Sequence, residues 1–539
     1  MSLRLIYGKS GCGKSEYCFK EIAKNVNKEK IYMIVPMALM AEKRLMEKAD
    51  NLGLVNTEVI TFSRMAFRVR NEIGGAKKTN LSKSGKAMLL YDILSKQKDT
   101  LNFLGKNAEN VDIIGNSITE FKKHRIDIEN LKEEANTTTD MYLKLKLNDM
   151  ITMYEEFEKS IQDKFLDEND VLDILNTQIL ESNQFKNTTI YIDEFVGFTT
   201  QEYEIIAKLM QLAKEVNVTI CTDNLLQQED ADKDIFYANK NTGIKLINLA
   251  KEYGIEIEDD VKLTELHRFK NEELKHLEEN FYAVPYKTYK EEPKNIKMFL
   301  ANNQYTEIEH IASEIVKLVR NENYRYKDIS VITKNLNLYS SLIKVIFASY
   351  NIPVFIDEKK ELSENILVKF LIAVLEICNK NWSYEAVFNY LKTGFVNIDK
   401  EEIFKLENYC IRWGIKGNKW YKEDWNYVGK EEYTEEELAR LNELRRMIVT
   451  PIRKLQEKSR KDNSFINLTK ILYEFLEEMK IEEVITSKIE KLEEKGFIEL
   501  ANEYESSFKV LIELFDEIVL VFGEEKTNFD KYMSILKIG

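Results

Sequence analysis

Residues 8–15 read Gly8, Lys9, Ser10, Gly11, Cys12, Gly13, Lys14 and Ser15, which is a complete GxxxxGKS phosphate-binding loop. The loop follows an apolar run at residues 3–7 and precedes a helical pattern, so its glycines fall at a strand-to-helix turn. There, backbone N–H groups can approach phosphate oxygens without a Cβ in the way. We expect Lys14 to pair with the β- and γ-phosphates and the Ser15 hydroxyl to hold Mg²⁺. The stretch predicts an α/β fold that binds a nucleoside triphosphate such as ATP.

The composition indicates a large protein with more than one domain. The 539 residues are 44% hydrophobic, which supplies apolar surface for several cores. A formal charge of −14 argues against indiscriminate polyanion binding, although 78 Lys and Arg residues can still gather on one face. Five cysteines without CxxC spacing and four histidines without ligand spacing predict neither disulfides nor a metal cluster. Because no apolar run is long enough for a membrane span, we expect a cytoplasmic protein with no membrane partner.

Four further strand patterns support the prediction of an α/β fold. Apolar runs occur at residues 31–35 and 58–62, and two more occur at residues 189–192 and 218–221. The chain between them, from about residue 75 to 185, has helical periodicity and no convincing strand. The pattern predicts a first domain, residues 1–290, whose sheet is interrupted by a helical insertion at about 75–185.

A second α/β pattern starts after a polar stretch that contains Pro285 and Pro293. Strands are predicted at residues 296–301, 329–333 and 352–356, with helices between them. We therefore expect a second domain to begin at residues 291–357. Residues 358–539 return to helical periodicity and are predicted to be a helical insertion, with the chain ending before the rest of that domain.

Asp193 and Glu194 follow a buried strand pattern downstream of the phosphate-binding loop. In this position an aspartate can orient Mg²⁺, and a glutamate can polarise the water that attacks a γ-phosphate. An ordinary acidic strand end is the alternative. A nucleoside kinase would share both motifs, but it would not need the large helical insertion between them.

Seven stretches of the sequence carry a family resemblance. They are LIYGKSGCGKS (5–15), VITFSRMAFRV (59–69), YIDEFVGFTTQE (191–202), YRYKDI (324–329), IPVFID (352–357), ENY (407–409) and WGIKG (413–417). On these stretches the chain resembles superfamily 1 helicases and, within them, the AddB family of helicase–nuclease proteins. The resemblance runs the whole length of the chain. It implies two RecA-like P-loop domains with parallel sheets, the second incomplete, each carrying a large helical insertion.

The family resemblance also implies a function. It suggests a subunit of an ATP-dependent helicase/exonuclease that resects double-strand DNA breaks for recombinational repair, with an AddA-type subunit and DNA as partners. Lys14, Asp193 and Glu194 would serve ATP, and Arg268 resembles an arginine presented to the γ-phosphate. The resemblance places the nuclease and a cysteine-bound iron–sulfur cluster beyond this chain, so the fragment itself would be at most a weak ATPase.

Departures from the helicase pattern leave two rival functions open. Val196 and Gly197 stand where helicases carry a Gln and an Asp, and Thr222 stands where a Gly is usual. Changes of this kind favour a non-hydrolysing DNA-binding scaffold with a vestigial nucleotide site. The intact Lys14 and Asp193 oppose that reading. A stand-alone superfamily 1 helicase is the other rival, and the missing motifs count against it.

The stretch 61–69 is the candidate DNA contact. Phe62 and Phe67 are predicted to stack on unpaired bases, and Arg64 is predicted to meet a phosphate or a base edge, with Thr61 beside them. The alternative is that both aromatic rings belong to the core.

Overall fold

The computed structural model describes residues 1–26, 28–49, 53–74, 78–104, 110–162, 164–226, 234–358, 365–428 and 433–539. These residues form two compact units. The first comprises Met1–Gly8, Lys14–Leu263 and Leu362–Gly539, and the second comprises Lys9–Gly13 and Thr264–Glu361. This division of the chain differs from the three predicted domain ranges, which remain a prediction.

A parallel sheet of seven strands organises the first unit. Its strands are β1 (Ser2–Gly8), β2 (Ile31–Ile34), β3 (Thr57–Ile60), β6 (Thr189–Ile192), β7 (Glu215–Cys221), β8 (Glu256–Ile257) and β9 (Val261–Lys262). The order is β3-β2-β6-β7-β1-β8, and β9 also pairs with β1. All of these pairs are parallel, so the strands end at one common edge. The predicted α/β fold class is confirmed.

Helices cover both faces of this sheet, as buried parallel strands require. They are α1 (Lys14–Asn25), α2 (Ala38–Lys48), α3 (Phe62–Ile73), α8 (Asp170–Gln178), α9 (Thr200–Leu212) and α10 (Tyr237–Glu252). Successive strand residues point to opposite faces. Leu5 and Ile34 therefore pack in one core, under α3, α8, α9 and α10, whereas Ile6 and Met33 pack in the other, under α1 and α2.

A small second sheet lies where no strand was expected. Its strands, β4 (Thr79–Asn80) and β5 (Phe165–Leu166), are parallel. The Thr79 N–H donates to the Lys164 carbonyl at 3.2 Å, and the Leu81 N–H donates to the Leu166 carbonyl at 2.9 Å. Two-residue strands carry no periodic signal, so the sequence pattern could not reveal them. They tie together the two ends of a helical segment, which the chain enters after β4 and leaves before β5.

Most helices of the two predicted insertions share one hydrophobic core, whereas α8, which also falls within residues 75–185, packs in a core of the sheet. Those of the earlier segment are α4 (Lys83–Gln97), α5 (Asn110–Lys123), α6 (Ile128–Thr137) and α7 (Met141–Ile161). Those of the later segment are α14 (Ile366–Asn379), α15 (Tyr384–Lys392), α16 (Lys400–Trp413), α17 (Glu435–Ser459), α18 (Phe465–Glu478), α19 (Ile481–Glu494), α20 (Ile498–Phe522) and α21 (Phe529–Ile538), with a 3-10 helix at Gly417–Trp420. Leu90 and Phe157 thus pack in the same cluster as Phe370 and Leu511. Side chains more than 200 positions apart in the chain complete one another's burial.

The second unit is built around α12 (Gln304–Asn321) and α13 (Leu336–Ser349), and it also contains α11 (Glu272–Asn280) and a 3-10 helix at Tyr326–Asp328. Ile308, Ile343 and Phe347 lie in its small core.

The structure contradicts the prediction of strands at residues 296–301, 329–333 and 352–356. Within the described part of this unit, none of the three segments is assigned to a strand. Leu300, Ile332 and Phe355 are 95%, 93% and 88% exposed. Apolar alternation gives only a local preference, whereas a strand also needs a neighbour to accept and donate its backbone hydrogen bonds.

Among the described helices, none combines the length and apolar character needed to cross a membrane.

The shared helical core generates a stability prediction. Phe370 is fully buried and stacks on Tyr390 and Phe475, so Phe370→Ala should lower the free energy of unfolding by about 3–5 kcal/mol. Because the core is common, hydrogen exchange should quicken in α4 and α7 as well as in α14. Phe404→Ala is the control, since Phe404 is 54% exposed on α16 and its loss should change stability by less than about 0.5 kcal/mol. Faster exchange confined to residues 366–538 would contradict a single core.

Candidate functional site

The phosphate-binding loop joins the carboxyl end of β1 to the first turn of α1, as its sequence predicts. Gly11 and Gly13 have φ angles of +86° and +82°, a region that glycine enters without strain. A Cβ on Gly11 would lie 2.8 Å from the Cβ of Arg268. Glycine at position 11 is therefore required by both its backbone angle and its surroundings.

Lys14 and Ser15 open α1 in the first unit. The Lys14 ammonium donates to the Gly8 carbonyl at 2.8 Å, so its side chain folds back along the loop. Ser15 is half-buried in the first turn of the helix. Helix N-termini favour anions because their first N–H groups have no partner within the helix.

Arg268 lies against the middle of the loop, within the second unit. The N–H groups of His267 and Arg268 both donate to the Gly11 carbonyl, at 2.9 and 3.3 Å. The Arg268 guanidinium donates to the Ser10 hydroxyl at 3.0 Å. Within this unit, the predicted arginine thus contacts Ser10 and Gly11 of the predicted phosphate-binding loop.

Asp193 follows β6 at the same edge of the sheet at which β1 ends. β7 lies between β1 and β6, so these two strands are separated by two strand spacings, about 10 Å. Asp193 is only 2% exposed. The Thr219 hydroxyl donates to its Oδ1, whereas its Oδ2 is buried and has no hydrogen-bond partner within the described residues.

This orphaned oxygen is the observation that tests whether the site suits a cation. A buried carboxylate oxygen without a donor is costly unless a cation or an ordered water satisfies it. Carboxylate and hydroxyl oxygens are the ligands that Mg²⁺ takes in nucleotide sites. Asp193 and Ser15 therefore fit a magnesium ion by the chemistry of their donor atoms.

Thr219 was missed by the sequence reasoning. Ile192 pairs with Val218 in register, so Thr219, the next residue of β7, comes beside Asp193. The available signal was a hydroxyl side chain inside an otherwise apolar strand pattern. Only the pairing of β6 with β7 reveals which carboxylate this hydroxyl holds.

Glu194 has a φ of +68°, which is uncommon for a residue with a side chain. Such strain costs about 1–3 kcal/mol and concentrates at functional sites. Glu194 is exposed, in contrast to the buried Asp193. Burial and then the charge of Asp193 raise the pKa of the Cys18 thiol on α1, which keeps that thiol neutral.

Thr222, one of the residues that depart from the helicase pattern, lies in a well-packed part of the sheet edge. Thr222 is fully buried, and its hydroxyl donates to the Asn224 carbonyl at 2.8 Å. Lys240, which the sequence reasoning also missed, is 2% exposed and pairs with Asp223 at 3.0 Å and Asp234 at 2.7 Å. Burial alone would raise the pKa of Asp223, but the hydrogen bond and charge of Lys240 outweigh it and lower that pKa.

Val196 is 69% exposed in the segment after Glu194. A Cβ on Gly197 would lie 3.4 Å from the Thr242 hydroxyl on α10, which is ordinary contact.

The predicted DNA-contact residues lie on two faces of α3. Thr61 caps the helix by accepting a hydrogen bond from the Arg64 N–H at 3.2 Å. Phe62 is 5% exposed, and its ring packs 5.6 Å from that of Phe195. Arg64 and Phe67 face outward, and Phe67 is 53% exposed.

Phe62 is therefore corrected from a stacking residue to a core residue. Residues 62, 65, 66 and 69 follow the helical spacing and form the buried stripe of α3. Positions 64 and 67 fall on the opposite side of the helix. Phe67 lines a cavity of about 290 Å³, together with Ser63 and Arg70 of the same helix.

Comparisons with known proteins show the family to which the chain belongs. Residues 5–278 match the family described as "ADDB, N-terminal", just over half of the chain. The chain belongs to the AddB family. Residues 263–536 also match the UvrD-like helicase C-terminal domain.

Among AddB relatives, the B component of the ATP-dependent helicase/deoxyribonuclease of Clostridium tetani is 40% identical over the whole chain. The proteins of the same name from Clostridium botulinum (strain Loch Maree) and Caldanaerobacter subterraneus are 38% and 37% identical over the whole chain. The chain covers 49%, 49% and 48% of these three relatives, so it spans about half their length.

Proposed function

We propose that this chain is the helicase-like portion of an AddB-type protein, which binds ATP with Mg²⁺ and single-stranded DNA. The whole protein would act with an AddA-type subunit in the cytoplasm to resect double-strand DNA breaks for recombinational repair. The names of the AddB relatives support this proposal, because they describe one subunit of an ATP-dependent helicase/deoxyribonuclease.

One observation carries the nucleotide proposal: the orphaned Oδ2 of Asp193 at the edge where the loop 8–15 begins. Ser15 and Asp193 are the residues that would hold Mg²⁺, which would offset the negative charge of the β- and γ-phosphates. The residues Gly8, Lys9, Ser10, Gly11, Cys12 and Gly13 would cradle the phosphates with their backbone N–H groups.

The remaining polar residues take roles that follow from their positions. Lys14 would exchange the Gly8 carbonyl for a phosphate oxygen, because a charge-assisted hydrogen bond is stronger than one to a neutral acceptor. Arg268, held 3.0 Å from Ser10, would reach the γ-phosphate. Glu194 would orient the attacking water if ATP is hydrolysed.

We propose that residues 291–357 begin a second RecA-like domain and that residues 358–539 are its insertion, whose described helices pack in the core of the first unit. The match of residues 263–536 to a UvrD-like helicase domain supports this assignment. We propose that the deoxyribonuclease named in these relatives, with the iron–sulfur cluster that the family resemblance implies, belongs to the half of their length that this chain does not span.

A non-hydrolysing scaffold remains the second candidate. The packing of Thr222 and the Asp223–Lys240 pair favours it, because these groups satisfy one another instead of facing a nucleotide. ATP turnover by the full-length protein, abolished in Glu194→Gln, would rule the scaffold out.

DNA contact is proposed for the outer face of α3. Arg64 and Phe67 are both exposed on this face, one turn apart. A positive charge beside an exposed aromatic ring is the combination with which proteins bind single strands. Thr61 contributes by fixing the start of the helix.

The loop proposal predicts that Lys14→Ala weakens ATP binding about tenfold to a hundredfold, because a charge-assisted contact of about 1.5–3 kcal/mol is lost. Isothermal titration calorimetry with Mg²⁺ present measures the effect. Lys20→Ala is the matched control, since Lys20 is an exposed lysine of the same helix. Equal dissociation constants for Lys14→Ala and Lys20→Ala would refute the assignment of the loop.

The α3 proposal predicts different signatures for charge and stacking. Arg64→Ala should lower the slope of log K against log salt by about 0.7, the value for one phosphate contact on a single strand. Phe67→Ala should weaken binding by about 1–3 kcal/mol and leave the slope unchanged, because stacking is not ionic. Lys186→Ala is the control, since Lys186 precedes β6 at the opposite edge of the sheet. Fluorescence anisotropy with oligo(dT) provides the measurement, and parental binding by both α3 variants would exclude this face.

A further inference from the structure

We infer that a second contact site for single-stranded DNA lies at the end of α16, separate from α3. It consists of Trp413, Lys416, Lys419, Lys422 and Tyr427, here named the lysine–aromatic patch. Its sequence includes WGIKG, a stretch that the nucleotide and α3 proposals leave without a role.

The backbone of the patch is fixed by two glycines and one lysine. Gly414 ends α16 in the left-handed conformation with φ +57°, and Gly417 has φ +61°. The Lys419 ammonium donates to the carbonyls of Trp413 and Gly414 at 3.2 and 3.3 Å. These contacts hold Lys419 over the end of the helix, where backbone carbonyls favour a cation.

Two aromatic rings form the stacking element. The rings of Trp413 and Tyr427 lie nearly parallel, with centroids 5.4 Å apart and an interplanar angle of 18°. Tyr427 is 42% exposed, and the Lys419 ammonium lies 5.9 Å from its ring centroid. Trp425 is buried behind them and stacks on Tyr409. An unpaired base can therefore stack on the Tyr427 ring, which Trp413 holds in place and beside which the Lys419 ammonium lies.

The charge of the patch is available to a ligand. Lys416 and Lys422 are exposed, and neither ammonium pairs with a carboxylate in the described part of the chain. Asp424 is compensated by two arginines, because Arg445 and Arg446 both donate to it. Glu423 is the exposed acid at the border of the patch. In a chain of net charge −14, a surface with three lysines around an exposed ring favours a polyanion.

The patch also offers groups that can read or hold a base edge. A cavity of about 250 Å³ beside Tyr427 is lined by two amides, two lysines and two carboxylates, namely Asn418, Asn426, Lys419, Lys422, Glu423 and Asp424. Amide side chains both donate and accept hydrogen bonds. Rings, ammonium groups and amides together fit unpaired nucleotides better than a duplex, whose bases are already stacked.

The test compares charge reversal on and off the patch. Lys416→Glu/Lys422→Glu should weaken oligo(dT) binding and lower its salt slope by about 1.4, the value for two phosphate contacts. Lys470→Glu/Lys509→Glu is the control, because these lysines are exposed on α18 and α20. Circular dichroism establishes that both double variants are folded. An unchanged salt slope in the patch variant would overturn the inference, as would a loss limited to duplex DNA.

The stacking element is tested by Tyr427→Leu, which keeps an apolar side chain and leaves the backbone bonds to the Tyr409 hydroxyl intact. We expect about 5- to 150-fold weaker oligo(dT) binding at constant salt slope. Tyr427→Leu should weaken oligo(dT) binding by the same factor in a chain that already carries Arg64→Ala. Equal factors would show that the patch and α3 contribute independently. Photocrosslinking with iodouracil-substituted oligo(dT) should label peptides from residues 413–428. Parental affinity of Tyr427→Leu, or no label on those peptides, would contradict the patch.

Discussion

The parallel pairing of β1, β7 and β6 is the constraint on which the proposed nucleotide site depends. Parallel strands end at one edge, so the register brings the end of the first strand, at Gly8, to the edge that also carries Asp193. β7 supplies the link between them, because its Thr219 hydroxyl donates to one oxygen of Asp193, while the other oxygen has no donor among the residues that the structure describes. β7 belongs to no recognised motif, yet its Thr219 positions the Asp193 carboxylate so that one oxygen can bind a cation.

The helical core also depends on contacts between segments that are far apart in the sequence. The helices of residues 83–161 and 366–538 pack around one core, although several strands of the sheet and most of the second unit lie between them in sequence. The two sets are joined through α4, which packs against α20 and α21. Stability of the first unit therefore rests on contacts between the early and late parts of the chain.

Sequence reasoning reached the features that local patterns encode. The loop 8–15, the strand before Asp193 and the long helical stretches all have a periodicity or a spacing that the structure reproduces. It could not reach features that arise from pairing between distant segments, such as β4 with β5 or Thr219 with Asp193. Phe62 is a third case. Its position at the carboxyl end of a strand pattern favoured stacking on a DNA base, but Phe62 belongs to the buried face of α3, so its ring lies in the core.

The most direct test of the account is the Mg²⁺ dependence of ATP binding in Asp193→Asn. Calorimetric titrations with Mg²⁺ and with a chelator measure how much of the affinity comes from the cation. The account predicts that the parent chain binds ATP more tightly with Mg²⁺, and that Asp193→Asn loses this gain while its affinity in chelator is unchanged. If Asp193→Asn keeps the Mg²⁺ dependence of the parent, the buried carboxylate is not the cation ligand and the central claim is wrong.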